Sequence, residues 1–307
     1  MTALYPEEDL KPVVSIVDVT DQSRLPQEVH KDKARHALIL KIAGYAALCI
    51  ASVGLILPFV WMVISSLKRN IDVFTVPIQW VPNPVVWQNY LDIFQRTDMI
   101  TWVGNTLFFS VIVTILQVLT GAFAAYGFAR MNFPGRDFLF LAYVGTIAVP
   151  WQSFMIPQFI MLSNWGLANT RWSIILLQAF GAFGVFLMKQ FFESIPPSLN
   201  EAARIDGLSE YGIWWRIMLP LAVPAIASLA LLTFVNTWND FLGPLIYLRD
   251  RSLWTVQIGL RTFIGQFASE HALIMVGSVL SIIPIAIIFF LGQRYFVEGI
   301  ATTGVKG

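Results

Sequence analysis

Apolar residues run along this chain in long charge-free stretches, and polar residues gather between them. A helix rising about 1.5 Å per residue needs roughly 20 apolar residues to cross a bilayer core. Six stretches approach or exceed that length: Ile42 to Ile64, Met99 to Ala129, Phe138 to Thr170, Trp172 to Met188, Ile217 to Asn239 and Ala272 to Gln293. The pattern predicts six membrane-spanning helices, of which the second and third are overlong and the fourth short. A transmembrane β-barrel would instead show segments of about 10 residues with alternating polarity, and the chain shows none. Composition agrees, with 56% hydrophobic and 13% charged residues and a mean hydropathy of +0.66, which excludes an ordinary soluble domain.

Residues 1–36 have no apolar run and carry Glu7, Glu8, Asp9, Asp18, Asp21, Glu28 and Asp32, which predicts a disordered tail. No signal-peptide pattern is present, so the first span is expected to remain in the protein. Lys31, Lys33, Arg35 and Lys41 crowd the start of span one and favour a cytoplasmic amino terminus. An even number of spans then puts both termini inside. Of the 20 Lys and Arg, seven fall outside: Lys68, Arg69, Arg96, Arg171, Arg249, Arg251 and Arg261. Trp61, Trp102, Trp165, Trp172 and Trp254 lie near predicted outer boundaries and Trp214 and Trp215 near an inner one, either as interfacial anchors or as bulk. The net charge of +1 decides nothing, and the sole cysteine, Cys49, forms no intrachain disulfide.

Two further patterns concern packing. The segment from Ser65 to Asp98 is rich in Pro and aromatic residues, too structured for a linker. Gly121, Ala125 and Ala129 line one face of span two and permit close helix approach. No internal repeat of the kind found in inverted-repeat transporters is evident.

The informative segment lies between spans four and five, from Glu193 to Pro220, on the predicted cytoplasmic side. It holds Glu201-Ala202-Ala203-Arg204-Ile205-Asp206-Gly207 and then Ile217-Met218-Leu219-Pro220, the pattern EAA-x3-G-x9-I-x-L-P. This resembles the signature loop of ABC-importer permeases at every defining position. The flanking Pro196-Pro197-Ser198-Leu199-Asn200 and Phe234 to Phe241 look like the carbohydrate-uptake branch, the maltose and glycerol-phosphate type. Asn105-Thr106, the stretch from Tyr126 to Gly135 and the closing Gln293 to Gly299 extend the likeness, leaving only the amino-terminal tail outside it.

Several expectations follow from that resemblance. The fold is an all-α integral membrane protein of six transmembrane helices, the type I ABC-importer permease fold. A permease domain over 37–298 carries the coupling loop at 193–220, and a cytoplasmic tail over 299–307 reaches towards the ATPase subunits or frays. Implied partners are two ATP-binding cassette subunits, a second homologous permease, an extracytoplasmic solute-binding protein and membrane lipid, with no nucleic acid. Glu201 is implied to bridge to an arginine of the ATPase subunit; the competing reading is that it caps its own helix. Ala202, Ala203, Ile205 and Leu208 read as a small apolar ridge that docks, Gly207 as the turn off the helix, and Pro220 as the start of span five.

The chain has no G-x-x-x-x-G-K-[ST] loop, so it is not expected to bind ATP in the P-loop manner; the resemblance implies that ATP is used by the partner ATPase subunits, and no cofactor is expected on this chain. His30, His36 and His271 sit in the tail or at the start of a span, so no metal or catalytic constellation is visible and the chain reads as no enzyme. Polar groups within spans mark a pathway or interhelical bonds. The densest set is Asn236, Thr237, Trp238, Asn239 and Asp240, with Trp238 suited to stack on a sugar ring. Gln152 and Ser153 between Pro150 and Pro157 form a second candidate, or a kink made for packing. Gln117 and Gln178 read as helix-to-helix hydrogen bonds. The alternative class is an ion-coupled secondary transporter or channel, which would place more ionisable groups mid-membrane than Asp240 alone.

Overall fold

The computed structural model describes the backbone of residues 27–266 and 270–304, and every regular element among them is helical. The chain divides at Pro58 into two units, residues 1–58 and 59–307. Residues 1–26 of the expected tail and 305–307 at the other end lie outside the described residues.

The first unit is the leading part of α1 (Gln27–Ser66). This helix starts inside the stretch expected to be disordered, because Gln27 to Ala43 contain no Pro or Gly to stop it. From Leu38 to Pro58 every residue is exposed.

In the second unit, α2 (Gln88–Arg96) packs beside α3 (Met99–Arg130). Its Asn89 donates to the carbonyls of Ser66, the last residue of α1, and of Lys68 just beyond it, at 2.9 and 2.8 Å, so the Ser65–Asp98 segment is structured as expected. The third predicted span is not one helix. It folds as α4 (Arg136–Gly145) and α5 (Met155–Asn164), joined by two single 3₁₀ turns. Val149 precedes Pro150 and is extended (φ −88°, ψ 119°), as the proline ring requires. Each piece is about 15 Å long, half a bilayer core.

The fourth span breaks between α6 (Arg171–Gln178) and α7 (Ala182–Ser194). Next come α8 (Pro197–Ile205), α9 (Glu210–Ile213), a π-helical turn at Trp214–Met218, and α10 (Leu219–Leu221). The chain then bends by 78° into α11 (Val223–Trp238). Span five therefore opens at Val223 with Pro224 in its first turn. Pro220 sits before the bend instead, because prolines four apart both lack the N–H that would carry a straight helix through Ala222. After α12 (Leu242–Tyr247) and α13 (Val256–Gln266), α14 (His271–Gly304) runs on through much of the expected carboxyl tail.

Four helices are long and apolar enough to cross a membrane among the described residues: Leu38–Ser66, Met99–Arg130, Arg171–Ser194 and His271–Gln293. The bent pair Glu210–Leu221 and Val223–Trp238 adds a fifth when its two helices are counted as one span. Helix α3 is central to the second unit, packing along α7 and α11, and α11 packs in turn along α14. Gly121 faces Gly184 where α3 and α7 pack, and a Cβ there would lie 3.4 Å from the Gly184 backbone, in ordinary contact.

Candidate functional site

The loop from Glu193 to Pro220 folds outward from a buried seat. Pro197 supplies the first turn of α8, where a missing N–H costs nothing. The helix ends in a Schellman arrangement: Gly207 N–H donates to Arg204 O and Leu208 N–H to Ala203 O, both at 3.0 Å. Gly207 holds φ at 80°, which a side chain disfavours. Ser209 then accepts from Gly212 N–H and caps α9.

Three positional expectations change here. Glu201 stands in the middle of α8 and is exposed, so it does not cap that helix. Ala203 is buried and packs in the core beneath the loop with Ile213 and Met218, so it offers no docking surface. Leu208, beyond the left-handed Gly207, turns back against that same core, so no continuous ridge runs from Ala202 to Leu208. Glu201, Ala202 and Ile205, the last of them 87% exposed, face outward on α8 together with Pro197, Ser198, Leu199 and Arg204.

Polar bonds tie this loop to α3. Tyr126 donates its hydroxyl to Glu210 Oε2 at 2.5 Å, and Arg204 Nε donates to Glu210 Oε1 at 2.8 Å. That carboxylate raises the Arg204 guanidinium further above its already high ordinary value. Arg130, at the end of α3, donates to the carbonyls of Phe192 and Ile195, the groups left open where α7 ends.

Beside the middle of α3 lies a polar cavity of about 480 Å³ lined by Gln117, Trp151, Leu177, Gln178, Thr233, Asn236, Thr237 and Asp240. The break between α6 and α7 frees backbone carbonyls, and α3 satisfies them. Gln117 Nε2 donates to Gln178 O (2.9 Å) and Thr120 Oγ1 to Ala179 O (2.8 Å). Thr233 donates to Gln117 Oε1 at 2.8 Å, and Gln178 Nε2 donates to Asp240 Oδ2 at 2.7 Å. Asp240 also accepts from Gly243 N–H at 3.1 Å, which fixes the carboxylate at the start of α12. The helix-to-helix bonds expected of Gln117 and Gln178 are present, and both side chains also line the cavity.

Asn236 and Asp240 reach this cavity together, as their four-residue spacing suggested. Trp238 does not: it is fully buried, stacked on Phe234, and donates its indole N–H to Ser281 O at 3.0 Å. Two residues along a helix is about 200° of rotation, so it faces away from Asn236. Asn239 is exposed and donates to Val235 O, and Gln152 is exposed outside the lining. The aromatic face here is that of Trp151, whose indole donates to Gln158 Oε1 at 3.1 Å. Thr233 and Trp151 escaped the sequence reading. Thr233 had a usable signal, since 233, 236, 237 and 240 fall at one-face helical spacing. Among the described residues no group of three or more His, Cys, Asp or Glu comes together to hold a metal.

Comparison with known proteins places this architecture. Residues 117–302 match the family model described as the inner membrane component of binding-protein-dependent transport systems. The arabinooligosaccharides transport system permease protein AraQ of Halalkalibacterium halodurans is 34% identical over 82% of this chain and 91% of its own. The lactose transport system permease protein LacG of Rhizobium radiobacter is 28% identical over 84% and 94%. Among solved structures, one chain of a bacterial ABC transporter involved in the import of the acidic polysaccharide alginate superposes with a TM-score of 0.77 at 26% identity, covering 85% of this chain and 98% of that one. With over half its length matched by the family model and a relative this similar across most of it, the chain belongs to the inner membrane components of binding-protein-dependent transport systems, the permeases of ABC importers.

Proposed function

We propose that this chain forms one half of the translocation pathway of an ATP-driven importer for an oligosaccharide or similarly polyhydroxylated solute, with α8 as the element that docks on the ATPase subunits. The observation that carries the coupling role is the outward face of α8. Glu201, Ala202 and Ile205 stand exposed on a helix that is anchored by buried Asn200 and Ala203 and whose end is locked by Gly207. An exposed apolar side chain flanked by a carboxylate suits a cleft offering an apolar floor and a cation. The solute class rests on the cavity together with the saccharides named for AraQ, LacG and the alginate transporter. Among the described residues Asn236 has no side-chain hydrogen-bond partner, and Asp240 keeps acceptor capacity, so hydroxyl groups find both donors and acceptors there beside the ring of Trp151.

In this reading α8 faces the cytoplasm together with both termini. The partners are two ATP-binding cassette subunits, a second permease that closes the open side of the cavity, and an extracytoplasmic solute-binding protein. ATP is used by the cassette subunits.

The test is purification of the chain from its native membrane in mild detergent. The expected result is a co-purified P-loop ATPase whose hydrolysis loses its link to uptake when Glu201→Ala is introduced, with the complex still assembled. A chain that arrives alone and moves solute under an ion gradient would instead establish an ion-coupled transporter and sink this proposal.

A further inference from the structure

The loop that carries α8 is held in two ways, and they are not redundant. Burial of Ala203, Ile213 and Met218 already seats it on the core. The polar contact is separate: Glu210 accepts from Arg204 on one oxygen and from Tyr126 on the other, joining α8, the start of α9 and α3 through a single carboxylate. Arg204 and Glu210 remain partly exposed while Tyr126 is buried, so the bridge runs from the surface of the loop to the interior of α3. Nine residues along α3 from Tyr126, about 14 Å by helical rise, stands Gln117, bonded to Gln178 and Thr233 in the cavity wall. A continuous helix thus carries the loop near its carboxyl end and the cavity wall near its middle.

We propose that Tyr126, Glu210 and Arg204 are positioning residues that transmit movement of α8 into α3, so that the cavity opens and closes in step with nucleotide on the ATPase subunits. The inference rests on the docking role given to α8 above. Glu210 is its node, because it alone touches both other members. Tyr126→Phe removes one bond and keeps the buried ring, and Glu210→Ala removes both. Glu210→Gln can still accept from Arg204 while donating to Tyr126, so it preserves the connection without the charge.

The experiment uses the intact complex with its ATPase subunits and needs no knowledge of the solute. In a Cys49→Ser background, Leu177→Cys places one thiol in the cavity wall, and its modification rate by a water-soluble maleimide is measured with and without ATP. With the bridge intact, ATP changes that rate by about tenfold, within the usual range of inter-site coupling. Tyr126→Phe and Glu210→Ala are expected to reduce the ATP effect to less than about twofold while hydrolysis per assembled complex stays at the parent level, and Glu210→Gln to retain it. Variants that keep the full ATP effect, or that lose it only in proportion to hydrolysis, overturn the inference. A parent complex that hydrolyses ATP but whose cavity thiol ignores it also overturns the inference and leaves the docking role standing. A parent chain that brings no ATPase overturns both.

Discussion

Gln117 illustrates how a polar side chain is accommodated inside a membrane helix. Its amide N–H₂ takes the carbonyl that the α6–α7 break exposes at Gln178, and its oxygen receives the Thr233 hydroxyl. Gln117→Leu has nearly the same bulk but leaves both partners unpaired, at a cost of about 1–2 kcal/mol. The expected result is a lower thermal midpoint for the purified complex, read by intrinsic tryptophan fluorescence; a midpoint equal to the parent would mean that water or another group replaces those bonds. Residue type told the sequence reader that Gln117 and Gln178 bond between helices, because an amide in lipid has few other outlets. Direction was harder to read. Trp238 carried the chemistry wanted for a sugar site, yet it lies on the far side of α11 from Asn236 and spends its N–H on Ser281.

At the scale of elements, proline decided most of what the apolar count left open. The third stretch is apolar enough for a span, yet Pro150 forces Val149 into an extended conformation and leaves two short helices. Prolines 220 and 224 put the 78° bend at the end of the Glu193–Pro220 loop. Such breaks are visible in sequence as prolines, but their angles depend on what packs around them. Packing also sets α13. Asn105 donates to the carbonyls of Ser252 and Trp254, and Thr106 accepts from Val256 N–H, so these two α3 residues hold the chain that leads into it. Gly259 then lies against buried Trp102, where a Cβ would come within 2.1 Å of the indole ring. Gly259→Ala is therefore expected to displace α13 and destabilise the complex by about 1–3 kcal/mol. Limited proteolysis between α12 and α14 checks it, and a cleavage rate matching the parent would show that the indole moves aside freely.

For the molecule as a whole, the loop from Glu193 to Pro220 was legible as a motif, because Glu201, Gly207 and Pro220 stand at the fixed spacing of the family's signature. The cavity was half legible, since Asn236 and Asp240 announced themselves by spacing whereas Trp151 is brought there only by tertiary folding. The expected run from Ala202 to Leu208 is interrupted, because Gly207 turns Leu208 back towards the core. Burial tells of assembly as well: α1 from Leu38 to Pro58 is apolar around its circumference and wholly exposed in this chain. That bare rod also holds the chain's only thiol, Cys49, itself exposed. Nature has thus left a single attachment point for a spectroscopic reporter. A nitroxide placed there without any engineered cysteine senses molecular oxygen when it faces lipid and loses both oxygen contact and mobility when another polypeptide covers it. Spectra from the isolated chain and the full complex are expected to differ in that way if α1 lies at a subunit boundary, and to coincide if it stays wholly in lipid.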